Sequence, residues 1–346
     1  MEVNPQYIVT IDSTIKAAIT SNWQRVTKYA PEVNGVIKKR PSSTRRELIT
    51  WILDTAGIYP QGVGGNRRYD DMLAIAYEID NLNVGSGLEL TTNEIEDNQL
   101  ANNPEVGALD YAQKWGRDRG AEAAYFMRKI MFQLIAAGTT ATGYDGVPFF
   151  SASHPVTPGV ASDGTYSNII TGVPISVTPT GSAPQSTQLD GLILSQINFA
   201  IALAYIAGLT FRGGTPRFLK PATLIVPTQL AYTANQLIGG GGFLTSGPAA
   251  DVMAQTTNVL GNYQFNKPII APELNGDPTH YYIAVEDVLS DEIGALVFSE
   301  RKPFELRGYP DASSAAQNLS KVWKWDFDGR NVGAYGHPYL LFKCGT

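Results

Sequence analysis

The strongest constraint on the fold is one long helix that the sequence predicts from Pro104 to Ala137. Pro104 occupies the favoured first position of a helix. Apolar residues then recur at three- and four-residue spacing, which predicts one buried stripe: Val106, Leu109, Ala123, Phe126, Met127, Ile130, Met131, Leu134 and Ile135. At 1.5 Å per residue this helix is a rod of roughly 50 Å, longer than a globular domain usually needs.

Three glycines, Gly107, Gly116 and Gly120, interrupt this helix. Each costs up to about 1 kcal/mol relative to alanine in a helix interior. A bend or a close packing contact is therefore expected between Gly116 and Gly120. An aromatic turn, Tyr144–Pro155, follows the helix and is expected to close it against an apolar surface.

Length and composition predict a folded chain with more than one lobe. A chain of 346 residues exceeds the size at which one hydrophobic core keeps growing. Hydrophobic residues make up 43% and charged residues 17%, so much of the surface can face other protein and oligomerisation is a working hypothesis. The net charge of −6 argues against tight binding of nucleic acid through many phosphates, although loose enclosure is allowed.

Cysteine content and apolar runs exclude several other classes. Cys344 is the one cysteine in the chain, so no internal disulfide and no cysteine metal cluster can form, which fits a reducing compartment. The residues after Met1 do not resemble a secretory signal. The most apolar run, Phe199–Leu209, has 11 residues and is too short to span a membrane, so no membrane partner is expected.

Charge divides the chain into three parts. Residues 1–150 carry 15 basic and 18 acidic side chains, residues 151–299 carry 4 and 9, and residues 300–346 carry 7 and 5. The middle part is also rich in Gly, Pro, Thr and Ala, which indicates a compact inserted lobe with many turns.

The N-terminal region predicts a short helix, Ser13–Arg25, followed by an extended basic arm. Eight basic residues fall in this region: Lys16, Arg25, Lys28, Lys38, Lys39, Arg40, Arg45 and Arg46. Blocks of like charge are often interaction tails, so Lys38, Lys39, Arg40, Arg45 and Arg46 are candidate assembly contacts. A solvated arm is the equally open alternative.

Two strand-like runs, Leu48–Leu53 and Leu73–Leu82, flank a glycine-rich connection and predict an extended hairpin. A two-stranded ribbon is marginal by itself, so this one should be disordered or lie on a neighbouring molecule. Further candidate contacts fall in its connection: Tyr59, Arg67, Arg68, Asp70 and Asp71. Paired opposite charges can fix the register of a partner, but a solvated loop remains the alternative.

The rest of the chain predicts a mixture of helices and strands, hence an α+β fold. The predicted helices are Leu189–Gly208 and Thr228–Ile238, and the predicted strands are Ala222–Pro227, Tyr281–Val285, Ala295–Phe298 and Lys321–Phe327, with a further strand or ordered tail over Gly333–Phe342. Two glycine clusters are candidate hinges: Gly62, Gly64 and Gly65, and Gly239, Gly240, Gly241 and Gly242.

Catalytic hypotheses have little support in the sequence. His154, His280 and His337 lie in separate loops without zinc spacing. Ser153 beside His154 could form a nucleophile and base, but the strand–turn–helix frame of a nucleophile elbow is missing. The glycine clusters lack a dinucleotide or phosphate fingerprint. We therefore expect no catalytic residue, no cofactor and no metal site.

Two segments carry a resemblance to a known family. Tyr144–Pro155 reads YDGVPFFSASHP and Lys220–Pro227 reads KPATLIVP. With the order of basic arm, hairpin, long helix and inserted lobe, they make the chain resemble the Mu-like major head subunit (T protein) family of tailed bacteriophages. The arm and the stretch Val156–Gln188 depart from the family in length and composition.

The resemblance implies a Hong Kong 97-like capsid fold with an N-terminal arm, an extended E-loop, a peripheral P-domain built on the long spine helix, and an axial A-domain. On this chain the implied divisions are the arm at 1–45, the hairpin and flanking strands at 46–90 with the E-loop near 55–82, the P-domain at 91–150 with its spine helix at 104–137, the A-domain at 151–299, and a return to the P-domain at 300–346.

The function implied is that of a major capsid protein. Copies would self-assemble as pentamers and hexamers of an icosahedral shell around loosely held double-stranded DNA, in the bacterial host cytoplasm and then in the virion. A scaffold, a maturation protease, a portal and a decoration protein are the further partners implied. An encapsulin-like cargo compartment of the same fold is the alternative, and a hydrolase using Ser153 and His154 is the remote one.

Overall fold

The computed structural model of the chain describes residues 5–29, 33, 35–54, 73–100, 108–158, 164–171, 193–210, 216–238, 243–245, 254–256, 265–287, 294–308 and 322–345. Within these residues the helices are α1 (Pro5–Tyr29), α2 (Thr92–Leu100), α3 (Ala108–Ala137), α4 (Gln196–Ala207) and α5 (Ala231–Ile238). The long helix predicted from the sequence is thus present as α3, and its predicted start at Pro104 lies outside the described residues.

The strands of the described residues are β1 (Ile37–Pro41), β2 (Arg46–Asp54), β3 (Leu73–Asp80), β4 (Leu82–Thr91), β5 (His154–Pro155), β6 (Thr165–Tyr166), β7 (Ile169–Ile170), β8 (Leu219–Val226), β9 (Phe243–Thr245), β10 (Ala254–Thr256), β11 (Ile269–Ile270), β12 (Tyr281–Asp287), β13 (Leu296–Gly308), β14 (Val322–Tyr335) and β15 (Leu341–Cys344). The strands predicted near residues 48, 73, 222, 281, 295 and 321 are confirmed, several of them longer than predicted.

A four-stranded sheet in the order β1–β13–β14–β4 forms one half of the molecule. β13 and β14 are antiparallel, and β1 joins β13 in parallel. Successive residues of a strand point to opposite faces, so Phe298 and Tyr335 face α3 while Val297 and Ala334 face the other way. The sheet therefore has an apolar contact surface on both faces.

A five-stranded sheet in the order β11–β8–β12–β15–β7 forms the other half. The C-terminal strand β15 lies between β12 and β7, pairing antiparallel with the first and parallel with the second. The division implied by the resemblance assigned residues 300–346 entirely to the P-domain. It is wrong for β15, because Leu341 and Phe342 are fully buried in the second sheet and only pairing there satisfies their backbone groups.

α3 connects the two halves because its two ends are buried in different cores. Its first half contributes Ala108 and Ala112 to a core shared with α1, β4 and β14. Its second half contributes Met131, Phe132 and Ile135 to the main core, which includes the five-stranded sheet. A helix of 30 residues, about 45 Å long, is needed to reach both.

α1 lies along the first half of α3, so the prediction of a short helix followed by an extended arm is wrong. The helix begins at Pro5 rather than Ser13 and ends at Tyr29. Its isoleucines recur at three- and four-residue spacing and are almost fully buried: Ile8, Ile11, Ile15 and Ile19. Burial of this stripe on α3 stabilises a helix twice as long as the predicted one.

The two helices approach closely at the glycines of α3, as the sequence predicts. A Cβ atom at Gly116 would lie 3.0 Å from the Ile15 carbonyl oxygen, and one at Gly120 would overlap the Ile19 carbonyl oxygen. Only glycine lets the two backbones come this close. The glycines therefore set the crossing of α1 and α3.

None of the helices in the described part of the chain combines the length and apolar character that crossing a membrane requires.

Gly120→Ala is expected to lower the free energy of unfolding by about 1–3 kcal/mol, because the new methyl group forces the two backbones apart. This loss should occur although alanine favours a helix by about 1 kcal/mol over glycine. Urea denaturation of the unassembled subunit measures it. Asp118→Ala, at an exposed position of the same helix, is the control and should change little. A more stable Gly120→Ala variant would contradict this crossing geometry.

Candidate assembly surfaces

The basic residues before the hairpin lie in an edge strand of the chain's own sheet. Lys38, Lys39 and Arg40 belong to β1 and pair in register with β13, so this part of the predicted arm is not free of the body. Lys39 forms an ion pair with Glu300, and Arg40 Nε lies 4.0 Å from Glu47 Oε1. Exposed pairs of this kind are worth at most about 1 kcal/mol, so both cations can exchange partners when another surface approaches.

Arg45 and Arg46 lie where the hairpin begins. Arg45 is exposed. Arg46 Nε lies 2.8 Å from Glu78 Oε1 and 3.1 Å from Asp80 Oδ1 across the hairpin. The hydrogen bond to Asp80, together with the two carboxylate charges, raises the pKa of Arg46. Ion pairs therefore join the two strands at the base of the hairpin.

The hairpin itself is confirmed, but part of it is buried within the chain. β2 and β3 pair antiparallel from Arg46 to Asp54. Ile49 and Ile79 are buried against the outer face of the four-stranded sheet, so the expectation that the ribbon rests only on a neighbour is wrong for its base. Leu48 points the other way and is 63% exposed. The base is anchored in the chain, while Leu48 faces outward beside the charged pairs of Arg46.

The remaining predicted contacts lie outside the described residues and stay predictions. These are Tyr59, Arg67, Arg68, Asp70 and Asp71 in the connection of the hairpin, and the hinge candidates Gly62, Gly64, Gly65, Gly239, Gly240, Gly241 and Gly242. The five contact candidates lie in sequence between the described ends of β2 and β3, where Asp54 pairs with Leu73.

The aromatic turn after α3 is buried, as predicted. Phe149 and Phe150 are almost inaccessible to solvent, and Phe149 stacks on Tyr335 with ring centroids 4.7 Å apart. Asn168 holds the turn to the C-terminal region: its Nδ2 donates to the carbonyl oxygens of Phe149 and Pro338, at 2.5 and 3.2 Å. The turn therefore closes α3 against the C-terminal strands.

His154 has a structural role in this turn. Its Nδ1 lies 2.6 Å from Asp145 Oδ2, and its Nε2 lies 3.1 Å from the Phe149 carbonyl oxygen. Both partners accept hydrogen bonds, so neither ring nitrogen is left to take a proton from Ser153. The Ser153 backbone N–H donates to Ser151 Oγ at 3.2 Å. A Ser153–His154 nucleophile and base therefore does not form in this geometry.

His337 lies in a second buried polar cluster beside the turn. Its Nδ1 is 3.1 Å from the Tyr144 hydroxyl, and its ring stacks on Tyr339. The Arg217 guanidinium lies 3.5 Å from the centroid of the same Tyr339 ring. Burial, with the positive charge of Arg217 nearby, lowers the pKa of His337 from 6.5 to about 3. His337 is therefore neutral at neutral pH, which lets it remain in the core beside a cation.

Arg128 of α3 forms a buried link to the five-stranded half. Its Nε and Nη2 donate to the two carboxylate oxygens of Glu273, at 3.0 and 3.2 Å, and Nη2 also donates to the Ile270 carbonyl oxygen at 3.1 Å. Desolvation lowers the pKa of Arg128 and raises that of Glu273, so burial opposes the charged pair. The two-pronged hydrogen bonding offsets that cost and connects the halves.

Sequence reasoning missed two of these features for different reasons. The isoleucine spacing of α1 was visible, but the basic residues among them favoured an arm. The pairing of Arg128 with Glu273 had no local signal, since the two residues are 145 positions apart. Among the described residues, no group of three or more His, Cys, Asp or Glu side chains is placed to hold a metal ion.

Comparison with protein families finds one match at the N-terminal half. The model of the family described as Mu-like prophage major head subunit gpT matches residues 10–177, which is 168 of the 346 residues. The match contains most of α1, together with the hairpin, α3 and the aromatic turn. Comparison with curated proteins finds no match.

Comparison with solved structures finds phage capsids. The mature capsid of bacteriophage PhiM1 matches with a TM-score of 0.50 and 12% identity, over 91% of this chain and 86% of that chain. The capsid of cyanophage P-SCSP1u matches with a TM-score of 0.50 and 9% identity, over 89% and 85%. The capsid of bacteriophage JBD30 matches with a TM-score of 0.49 and 21% identity, over 71% and 92%. The fold is α+β and Hong Kong 97-like, as predicted.

Removing His337 is expected to make stability less dependent on pH in acid. The depressed pKa means that its contribution to stability is fully present above pH 6.5 and is lost as the pH falls toward 3. Over that window it adds a slope of about 1.4 kcal/mol per pH unit. The difference in unfolding free energy between wild type and His337→Gln should therefore shrink as the pH is lowered from 7 to 4.

Tyr144→Phe is the matched control for that experiment. It removes the hydroxyl that contacts His337 but keeps the titrating ring, so its pH slope should stay close to that of wild type. Equal slopes for His337→Gln and wild type would contradict a buried neutral histidine.

Arg128→Met is expected to lower the free energy of unfolding by about 3 kcal/mol, because Glu273 is left partly buried without its partner. Lys129→Met changes the exposed neighbour on the same helix and should have little effect. Chemical denaturation of both variants measures the difference. If the two substitutions cost the same, the Arg128–Glu273 pair does not link the halves.

Proposed function

We propose that this chain is a phage major capsid protein of the Mu-like prophage major head subunit family, whose model matches residues 10–177. Copies associate as pentamers and hexamers of an icosahedral shell. The hairpin β2–β3, continued by residues 55–72, reaches a neighbouring copy. The basic edge from Lys38 to Arg46 meets a second neighbour or the same one.

One observation carries this proposal: among the described residues, the hairpin is attached to the chain's own sheet at its base. Ile49 and Ile79 attach the base to the chain's own sheet, whereas Leu48 on the other side is 63% exposed. A two-stranded ribbon is marginal in water by itself, and its Leu48 side is exposed. Contact with another copy would bury that side and give the ribbon a partner surface.

The family's domain division is proposed for this chain with one change. The arm is residues 1–45, the E-loop lies near 55–82, the P-domain comprises 91–150 and the return segment, and the A-domain is 151–299. The change concerns the return segment 300–346, whose last strand, β15, joins the sheet of the A-domain half. Packing of α1 on α3 supports an arm whose helical part stays with its own subunit.

The A-domains would meet around the capsomer axes. Glycines at 62–65 and 239–242 would absorb the difference between five-fold and six-fold surroundings. The net charge of −6 would leave enclosed double-stranded DNA free to slide.

The chain is proposed to act without catalysis, and the structural hydrogen bonds of both His154 nitrogens support this. Assembly would take place in the bacterial host cytoplasm with a scaffold, a maturation protease, a portal and a decoration protein. An encapsulin-like compartment of the same fold would enclose an enzyme instead of DNA. Particles purified from the host should therefore protect double-stranded DNA from nuclease. Particles that contain an enzyme and no DNA would contradict the proposal of a DNA-filled phage shell and favour the encapsulin-like alternative.

Deleting residues 59–70 is expected to leave folded, soluble subunits that fail to close shells. The stem β2–β3 keeps its buried base, so the subunit should retain its circular dichroism and unfolding temperature. Without the segment it cannot reach a neighbour. Velocity sedimentation and electron microscopy of the assembled material measure the result.

A second variant tests whether the length of this segment is enough for assembly or whether its side chains are needed. Residues 59–70 are replaced by a Gly/Ser segment of the same length, which preserves reach but removes Tyr59 and the charged pairs. Failure of both variants would indicate that the side chains matter. Normal shells from the deletion variant would show that the hairpin does not join subunits.

A further inference from the structure

Phe218 combines two features that are unfavourable in an isolated subunit. Its φ is +50°, in the left-handed region, and among the residues that the structure describes it is the one residue other than glycine with a positive φ. Its side chain is nevertheless a large apolar one, and the residue is 62% exposed. A bulky residue in this conformation is strained, and exposure of the ring gains nothing that would compensate.

The backbone on both sides of Phe218 is held firmly, so its conformation is imposed. Arg217 is buried, its guanidinium lies 3.5 Å from the centroid of the Tyr339 ring, and its backbone N–H donates to the Leu209 carbonyl oxygen at 3.0 Å. On the other side Leu219 begins β8 and is buried. The ring therefore projects outward from two fixed neighbours.

The residues before Phe218 are also held in place. Thr210 and Pro216 form an antiparallel bridge, so the chain reaches Phe218 from a fixed position. The ring is thus pre-organised, which reduces the entropy lost when it is buried by a partner.

We propose that Phe218 is a contact residue between copies of this chain, with its ring buried in an apolar site on a second copy. This inference rests on the proposed function, because in a shell built from one chain the surfaces that meet this residue belong to other copies. Strain held at a fixed position is typical of functional contacts. Aromatic side chains in desolvated pockets carry a large share of the binding free energy at interfaces.

Exposure alone does not distinguish Phe218. Tyr232 is 75% exposed, but it lies in the regular helix α5 with ordinary backbone geometry. Single exposed apolar side chains are normal on protein surfaces. Tyr232 is therefore the natural comparison, since it has a larger exposed fraction without the strain or the fixed neighbours.

The test uses Phe218→Asn and Phe218→Gly in the full chain, since both residues tolerate a positive φ. The unfolding temperature of the unassembled subunit should be equal to or higher than that of wild type, because strain is relieved. The concentration of subunit needed for shell formation should rise at least about tenfold, as expected for loss of an interface anchor. Light scattering and electron microscopy measure assembly. These opposite effects are not expected of a residue that serves only the fold.

Two further variants act as controls. Phe218→Trp keeps a large aromatic ring and should retain assembly, and Tyr232→Asn should assemble like wild type. The inference is overturned if Phe218→Asn and Phe218→Gly assemble at the wild-type concentration, if both lose the fold, or if they lose only the binding of a different virion protein. A wild-type chain that forms no shell would instead overturn the proposed function, and the inference would fall with it.

Discussion

The architecture depends on the burial of α3 at both of its ends. The first half of the helix is lined by small residues and lies against α1, with Gly116 and Gly120 in contact with the α1 backbone. The second half carries bulky residues, Met131, Phe132 and Ile135, into the main core. Without both contacts a helix of this length would expose an apolar stripe at one end. The helix therefore joins the core that it shares with α1 to the main core, which contains residues of both sheets.

Buried polar groups then determine how the halves meet. Arg128 on α3 reaches Glu273 and the Ile270 carbonyl in the second half, and Asn168 ties the aromatic turn to the C-terminal strands. Such groups must find their partners, because an unpaired buried charge or amide is costly. Apolar packing alone would allow several arrangements of similar free energy, whereas these pairings favour one.

The search for burial also shows which apolar side chains stay exposed on the subunit. The base of the hairpin, the isoleucines of α1 and the aromatic turn all find partners within the chain. Leu48 and Phe218 do not lie in these cores, and both are mostly exposed. Within the described residues, Leu48 and Phe218 therefore project from parts of the chain that are themselves packed, which fits the proposed contacts between copies. This differs from the expectation of an arm with no partner until assembly.

The sequence by itself determined the elements whose signals are local: the long helix, the two strands of the hairpin, the strands near residues 222, 281 and 322, and the aromatic turn at 144–155. Periodicity and glycine placement are properties of a few consecutive residues, so they can be read without the rest of the chain. The candidate contacts at Lys38, Lys39 and Arg40 stay a prediction, and their charge suggested an extended arm. Only the tertiary structure decided that they form an edge strand on β13, that α1 lies on α3, that β15 enters the second sheet, and that Phe218 holds a positive φ. Each of these depends on which distant surface offers the most burial and the best hydrogen-bond partners, and no local pattern contains that comparison.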